Sequence, residues 1–224
     1  MNPRRLDLQL LRLLLVTDGR GDVGRLERIV GQAVAFGVRC VQLREPQLSA
    51  RGLLHACERL APLLQAVGGL LLVNDRLDVA AAGRAHGAQV GHRSLPPEVA
   101  RAVLGPSAIL GYSAHDQAEL DLAVVADCDF ALLSPVWSTT SKPDMPCLGV
   151  PRAANLTSKA RLPVVWLGGV GVAQLAELAS VPVAGRPIGI AVRSGIMSAE
   201  DPGAAVAALL AAMPPAEPVP PSIA

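Results

Sequence analysis

Eight times along this chain a short run of leucine, valine and alanine gives way, through a polar or glycine-bearing turn, to a stretch with helical spacing. This alternation constrains the fold more than any other feature. Apolar runs without a polar face read as parallel strands buried on both sides, and parallel neighbours need crossover helices. The runs open at Leu13, Val38, Leu70, Ala88, Ala108, Phe130, Val164 and Ile188. Between the first two, residues Arg25 to Phe36 place Leu26, Ile29, Val30 and Ala33 on one face, and Gly37 stops the pattern as a C-cap glycine would. Ser49 is placed to cap the next helix, through Val67, and Pro96 to open one through Leu104. Further helices are read over Leu77 to Ala82, Gln117 to Val125, Pro151 to Lys159, Val172 to Leu178 and Asp201 to Met213. Eight strand–helix units with short connections predict a single (β/α)8 TIM barrel, of class α/β, over residues 12–213. Residues 1–11 read as an N-terminal extension and 214–224 as a proline-rich flexible tail. A doubly wound open sheet is the competing arrangement, and the lack of a GxGxxG turn after the first strand disfavours it.

Apolar residues make up 51% of the chain and aromatic ones only 2%, so the core must be built from leucine, valine, alanine and isoleucine. A net charge of +1 gives no electrostatic case for nucleic acid or a membrane surface, which points to a small-molecule partner. Cys40, Cys57, Cys128 and Cys147 are widely spaced, with no CxxC pair. That excludes the usual zinc and disulfide frameworks and suits a reducing, cytoplasmic setting. The leucine-rich start is interrupted by Asp7 and Arg12 and lacks a signal cleavage site, and no run approaches the ~20 apolar residues of a membrane span. Homo-oligomerisation is left open.

In such a barrel the chemistry sits where the strands end. The polar residues at those exits are Asp18, Gln42 and Arg44, Asn74 and Asp75, His92 and Ser94, Ser113 and His115, and then Ser134. Thr139, Ser141 and Lys142 follow in a polar loop, then Gly168 and Gly169, then Arg193 and Ser194. These types suit an anion. Gly169 lets a ligand approach the backbone, and free N–H groups of a following helix would aim at a phosphate. Lys142 adds a point charge and Arg44 a planar fork. His115 is the acid–base candidate because imidazole titrates near neutral pH. Asp75 offers one carboxylate for magnesium, to be completed by substrate oxygens. His55, within a helix, and His86, remote from the exits, read as structural or surface residues.

The ordered motifs Leu15-Val-Thr-Asp18, Val41-Gln-Leu-Arg-Glu45, Asn74-Asp-Arg76, Gly111-Tyr-Ser-Ala-His115, Thr139-Thr-Ser-Lys142 and Leu167-Gly-Gly-Val170, closed by Gly189-Ile-Ala-Val-Arg-Ser-Gly-Ile196, make the chain resemble the thiamin phosphate synthase / thiazole tautomerase (TenI-type) family. The resemblance covers roughly residues 12 to 213 and implies a (β/α)8 barrel that binds a thiazole phosphate. Synthases of the family join that phosphate to hydroxymethylpyrimidine diphosphate and release pyrophosphate. Carried over, Gln42, Arg44 and Asn74 resemble the pyrimidine diphosphate contacts and Asp75 one magnesium ligand. Thr139, Ser141 and Lys142 match the loop around the thiazole phosphate and pyrophosphate. Gly169, with the backbone near Arg193 and Ser194, matches the phosphate cup; Ser113, at the fifth exit, is a further substrate-binding candidate.

Two departures separate the chain from the synthase pattern. Pro46 stands where synthases place a lysine, and Ser94, in Gly91-His-Arg-Ser94, where they place a second magnesium-binding aspartate. A neutral hydroxyl is a poor substitute for a carboxylate at a magnesium-diphosphate site. Tyr112, His115 and Gly195 resemble the tautomerase branch, in which the residue matching His115 carries the proton that makes a carboxythiazole phosphate aromatic. The resemblance therefore implies a thiazole tautomerase that needs no cofactor. The alternative is thiamin phosphate synthase with magnesium at Asp75, and a third reading is a non-catalytic regulator that binds a thiamin-related phosphate.

Overall fold

The apolar runs pair in chain order. In the computed structural model, which describes residues 6–139 and 146–215, the strands are β1 (Leu13–Val16), β2 (Cys40–Leu43), β3 (Leu70–Asn74) and β4 (Gly87–Val90), then β5 (Ile109–Ala114), β6 (Phe130–Leu133), β7 (Val164–Leu167) and β8 (Gly189–Val192). All are parallel, and β8 returns to β1 to close the barrel. The crossovers are α1 (Val23–Ala35), α2 (Ala50–Gln65), α3 (Leu77–Ala82), α4 (Pro97–Leu104) and α5 (Gln117–Val125). After them come α6 (Val150–Lys159), α7 (Val172–Leu175), α8 (Ser194–Met197) and α9 (Pro202–Ala212). No helix among the described residues is long and apolar enough to cross a membrane.

Strand parity divides the buried residues into two cores. Leu14, Val16, Cys40, Leu72, Phe130 and Val165 fill the barrel interior. The alternate residues, such as Leu15, Val41, Leu43 and Val73, pack outward against Leu26, Val30, Leu60 and Leu64 of the helices. Each such leucine or valine contributes about 1.5–3 kcal/mol by leaving water, so a barrel with few aromatic residues is well supplied. Gly111 is required by this packing, since a Cβ there would lie 2.5 Å from Phe130 Cζ. Burial pushes the Cys40, Cys57 and Cys128 thiols up, Cys57 to about 11, which removes them from thiolate chemistry at neutral pH.

Caps set the helix ends. Asp22 accepts from Arg25 N at 3.0 Å, so α1 begins two residues before the apolar periodicity does. Ser49 accepts from Gly52 N at 3.2 Å, as its position before α2 leads one to expect. Three features differ from the sequence reading. Residues Leu8–Leu11 form a single 3-10 turn, and Leu11, fully buried, joins the interior core as the barrel's floor. The helix read as Val172 to Leu178 holds α-geometry only to Leu175 and tightens into a 3-10 turn through Ser180. Four residues after β8 form α8, which the hydrophobic pattern is too short to reveal. Residues 1–5 and 216–224, most of the expected tail, lie outside the described residues; Pro214 O is held by Arg12 Nη2 at 2.7 Å.

His86 is structural, as its place away from the exits suggests. Its Nδ1 accepts the backbone N–H of Leu71 at 3.1 Å at the start of the β3–β4 pairing. That nitrogen must be unprotonated to accept, and burial holds the imidazole below its ordinary range. Between the ordinary value near 6.5 and the depressed folded value, the unfolded chain binds more protons. The His86 contribution is therefore full above about pH 6.5, falls as the pH drops through that window, and is constant below it. His86→Ala strands the Leu71 N–H and should cost about 1–3 kcal/mol. Urea unfolding from pH 8 to 5 should show the wild-type-minus-variant difference shrinking towards acid.

Candidate active site

The inward parity that fills the interior also delivers side chains to its mouth. Val16, Gln42, Asn74, Ser113, Leu132 and Leu167 are the last inward residues of their strands, and all line one cavity. Arg44, Ser134, Thr139, Gly168, Gly169, Arg193 and Ser194 are among the other residues of its wall. The floor is apolar and the wall polar and cationic, an arrangement that holds a ring below and an anionic group at the rim.

A hydrogen-bonded row crosses the β2, β3 and β4 exits. Gln42 Nε2 donates to Asn74 Oδ1 at 2.6 Å, and Asn74 Nδ2 donates to Asp75 Oδ2 at 2.6 Å. The Ser94 hydroxyl donates to Asp75 Oδ1 and accepts from Gly91 N at 2.9 Å. Asp75 has a positive φ of 61°, which turns its carboxylate out of the strand line towards Ser94. Gln42 is 4% exposed, and its Oε1 has no hydrogen-bond partner among the described residues. A buried acceptor without a donor is costly unless a ligand supplies one.

The opposite rim is backbone. Gly168 and Gly169 have φ of 99° and 66°, in the left-handed region that favours glycine. A Cβ on Gly168 would lie 2.7 Å from Pro135 Cβ, and one on Gly169 2.8 Å from Trp137 Cβ. The glycines thus let the β7 exit nest under the β6 loop. That loop is anchored by Trp137 Nε1, which donates to Glu177 Oε1 at 3.0 Å, and by the edge-on packing of Trp137 on Trp166. The α8 helix starts at Ser194, immediately after β8, beside the same cavity wall.

Two acidic residues of the motifs are structural. Asp18 pairs with Arg25 Nη1 at 2.9 Å and with Arg20 Nε at 3.2 Å, and Arg25 also donates to Met197 O, tying β1 to α8. Glu45, 2% exposed, accepts from Gly19 N at 3.1 Å and Gly21 N at 2.7 Å. Beside it, Arg44 N donates to Thr17 Oγ1 at 2.8 Å. The β1 loop is thereby locked to the β2 exit, and the Arg44 side chain, with no carboxylate paired to it among the described residues, is left for the cavity.

Of the expected site residues, Gln42, Arg44, Asn74, Ser113, Thr139, Gly169, Arg193 and Ser194 all line the cavity. Asp75 sits at its edge through Asn74. Ser141 and Lys142 lie outside the described residues. His115 is not in the cavity wall; its Nδ1 lies 2.8 Å from Glu119 Oε2 on the outer rim. Tyr112 faces away altogether, 3% exposed in the layer between strands and helices. Sequence reasoning passed over Gln89, whose Nε2 donates to Ser113 Oγ at 3.1 Å and fixes that hydroxyl; its parity with the inward Gly87 is the signal that could have found it.

The thiamine monophosphate synthase family model matches residues 13–196. The chain is 40% identical over 194 residues to the thiamine-phosphate synthase of Azorhizobium caulinodans, covering 85% of this chain and 89% of that one. It is 37% identical over 192 residues to the thiamine-phosphate synthase of Laribacter hongkongensis, again covering 85% and 89%. Among solved structures, thiamine phosphate pyrophosphorylase from Pyrococcus furiosus superposes with a TM-score of 0.80 at 28% identity, covering 92% of this chain and 96% of that one. These relatives overturn the expectation of a thiazole tautomerase. The expectation rested on Pro46, Ser94, Tyr112, His115 and Gly195, and three of these do not serve it: Tyr112 belongs to the outer core, His115 lies outside the cavity wall, and Ser94 keeps a direct bond to the remaining carboxylate.

Proposed function

The chain belongs to the thiamine monophosphate synthase family, and on that premise we propose that it is a thiamine-phosphate synthase, a transferase that joins hydroxymethylpyrimidine diphosphate to thiazole phosphate and releases pyrophosphate. One observation carries the reading: the family match, residues 13–196, contains every residue of the cavity wall from Val16 to Gly195.

In this reading the Gln42–Asn74 pair orients the pyrimidine, with Gln42 Oε1 accepting from its amino group. The apolar floor of Val16, Leu132 and Leu167 takes the ring and keeps water from the reacting carbon. Arg44 offers its planar fork to the diphosphate, whose charge grows as it departs. Gly168 and Gly169 with the start of α8 hold the phosphate of the thiazole, which sets the two substrates side by side so that their encounter is no longer a matter of chance collision.

The family implies magnesium, and the donor set fits a one-carboxylate site. Asp75 and the Ser94 hydroxyl stand together at the rim, and magnesium is commonly held by one or two carboxylates with substrate phosphate oxygens and waters. Asp75 would hold the ion with Ser94 at its side, and the bound ion would supply charge neutralisation for the diphosphate. Ser94→Asp adds a second carboxylate facing Asp75. Without divalent ions that pair should repel and lower the melting temperature; magnesium should restore it, and half-saturating magnesium in turnover should fall about tenfold. An unchanged magnesium response would remove Asp75 and Ser94 from the metal site.

The proposal is tested by expressing the chain in a bacterium deleted for its own thiamine-phosphate synthase. Growth on medium lacking thiamine is the expected result. Failure to grow with soluble protein present would reject the assignment.

A further inference from the structure

Outside the cavity, one cluster of donor side chains is not used by the proposed reaction. His92 leaves the β4 exit, His115 the β5 exit, and Glu119 rises from the first turn of α5. One ligand atom from each lies within 4.8 Å of the others. The two imidazoles meet edge-on, with centroids 5.8 Å apart and planes at 78°. Glu119 Oε2 accepts from the His115 backbone N–H at 2.7 Å and lies 2.8 Å from its Nδ1. The backbone bond explains Glu119 as a helix-start residue. It does not account for His92, an exposed ring brought against the pair from another strand.

We propose that His92, His115 and Glu119 form a binding site for a divalent transition-metal ion of the zinc type on the outer rim between β4 and β5. Two imidazoles and a carboxylate are the donors such ions take, whereas magnesium prefers oxygen alone. Three protein ligands leave a fourth position for water on the solvent side. With metal–nitrogen bonds of about 2.0–2.1 Å, tetrahedral donors lie roughly 3.3 Å apart. The donor atoms, within 4.8 Å of one another, are already near that spacing, and the exposed His92 is the ligand with most room to adjust. The bond between the His115 N–H and Glu119 already fixes the carboxylate, the kind of outer support that metal ligands commonly have.

The ion would also pin the turn that carries Ser94, because Ser94 N donates to Gly91 O at 2.8 Å and its hydroxyl reaches Asp75 across the rim. The site is thereby coupled to the cavity edge while lying outside its wall.

The test is a cobalt(II) titration of the full chain in millimolar magnesium, followed by visible absorption, with zinc then added as competitor. One cobalt per chain, d–d bands without a thiolate charge-transfer band, and displacement by zinc are expected. His92→Ala and Glu119→Gln should each weaken binding about tenfold or more. Glutamine keeps an acceptor for the His115 N–H, so the helix start survives in that variant, and unchanged melting temperatures would establish that both are folded. Three results would each overturn the site: no saturable binding, undiminished affinity in either folded variant, or a thiolate band placing the ion on the exposed Cys147.

Discussion

Replacing Gly169 with valine should lower kcat/KM for thiamine phosphate formation by about a hundredfold or more, the scale on which a misplacement of about 1 Å acts. The backbone at 169 has φ of 66°, and any Cβ meets Ser138 O and comes within 2.8 Å of Trp137 Cβ. Either the glycine pair flips or the β6 loop is pushed off Glu177, and both outcomes spoil the proposed phosphate cup. Gly105→Val separates this from conformational strain alone. Gly105 has φ of 76° at the end of α4, but a Cβ there meets nothing within 4 Å. The Gly105 variant should lose stability and keep its KM for thiazole phosphate; the Gly169 variant should raise that KM steeply. Equal kinetic losses in the two would show that strain, and not the shape of the cup, is being measured.

Glu45→Ala should be the most damaging change away from the cavity wall. It strands the N–H groups of buried Gly19 and half-buried Gly21. Bonds to an ionised acceptor are worth about 1.5–3 kcal/mol each, and typical domains hold only about 5–15 kcal/mol in total. A loss of about 3–5 kcal/mol in urea unfolding is expected, with cleavage by protease beginning in residues 19–22. Glu45→Gln keeps one acceptor oxygen but turns an amide donor towards the second N–H, so an intermediate loss is expected. If Glu45→Ala were neutral, the lock between the β1 loop and the β2 exit would carry no weight. Arg44 would then owe its position to the Thr17 bond alone.

The two changes mark which parts of the molecule the sequence makes legible. Strands and crossover helices are plain because runs such as Leu13 to Val16 and Val164 to Leu167 have no polar face, and Ser49 caps α2 where its position places it; the Asp22 cap of α1, ahead of the periodicity, was not read. The cavity wall was also largely readable, since polar residues at strand exits have few other places to point. What could not be read was direction. Tyr112 and Ser113 are neighbours in one motif, yet the pleat sends Ser113 to the cavity and Tyr112 to the helix layer. Reading Tyr112 as a mark of the tautomerase branch lent that assignment false weight. Ser94 misled in a related way: its identity signals a missing charge, while its bond to Asp75 is a tertiary fact. The short helix α8 and the floor turn at Leu8–Leu11 fall below the length at which periodicity carries a signal.

His115 illustrates the same limit. A histidine at a strand exit reads as an acid–base group on chemical grounds alone, but here it is turned to Glu119 and His92 on the outer rim. The proton transfer assigned to it belonged to the tautomerase, and the proposed transferase reaction does not call on it.

The most direct measurement is 31P NMR of purified protein supplied with hydroxymethylpyrimidine diphosphate, thiazole phosphate and magnesium. Thiamine phosphate and pyrophosphate should appear in equal amounts, neither forming when thiazole phosphate is withheld, and both should be lost in Gly169→Val. A folded wild-type protein that releases no pyrophosphate, or releases it without forming thiamine phosphate, would contradict the assignment.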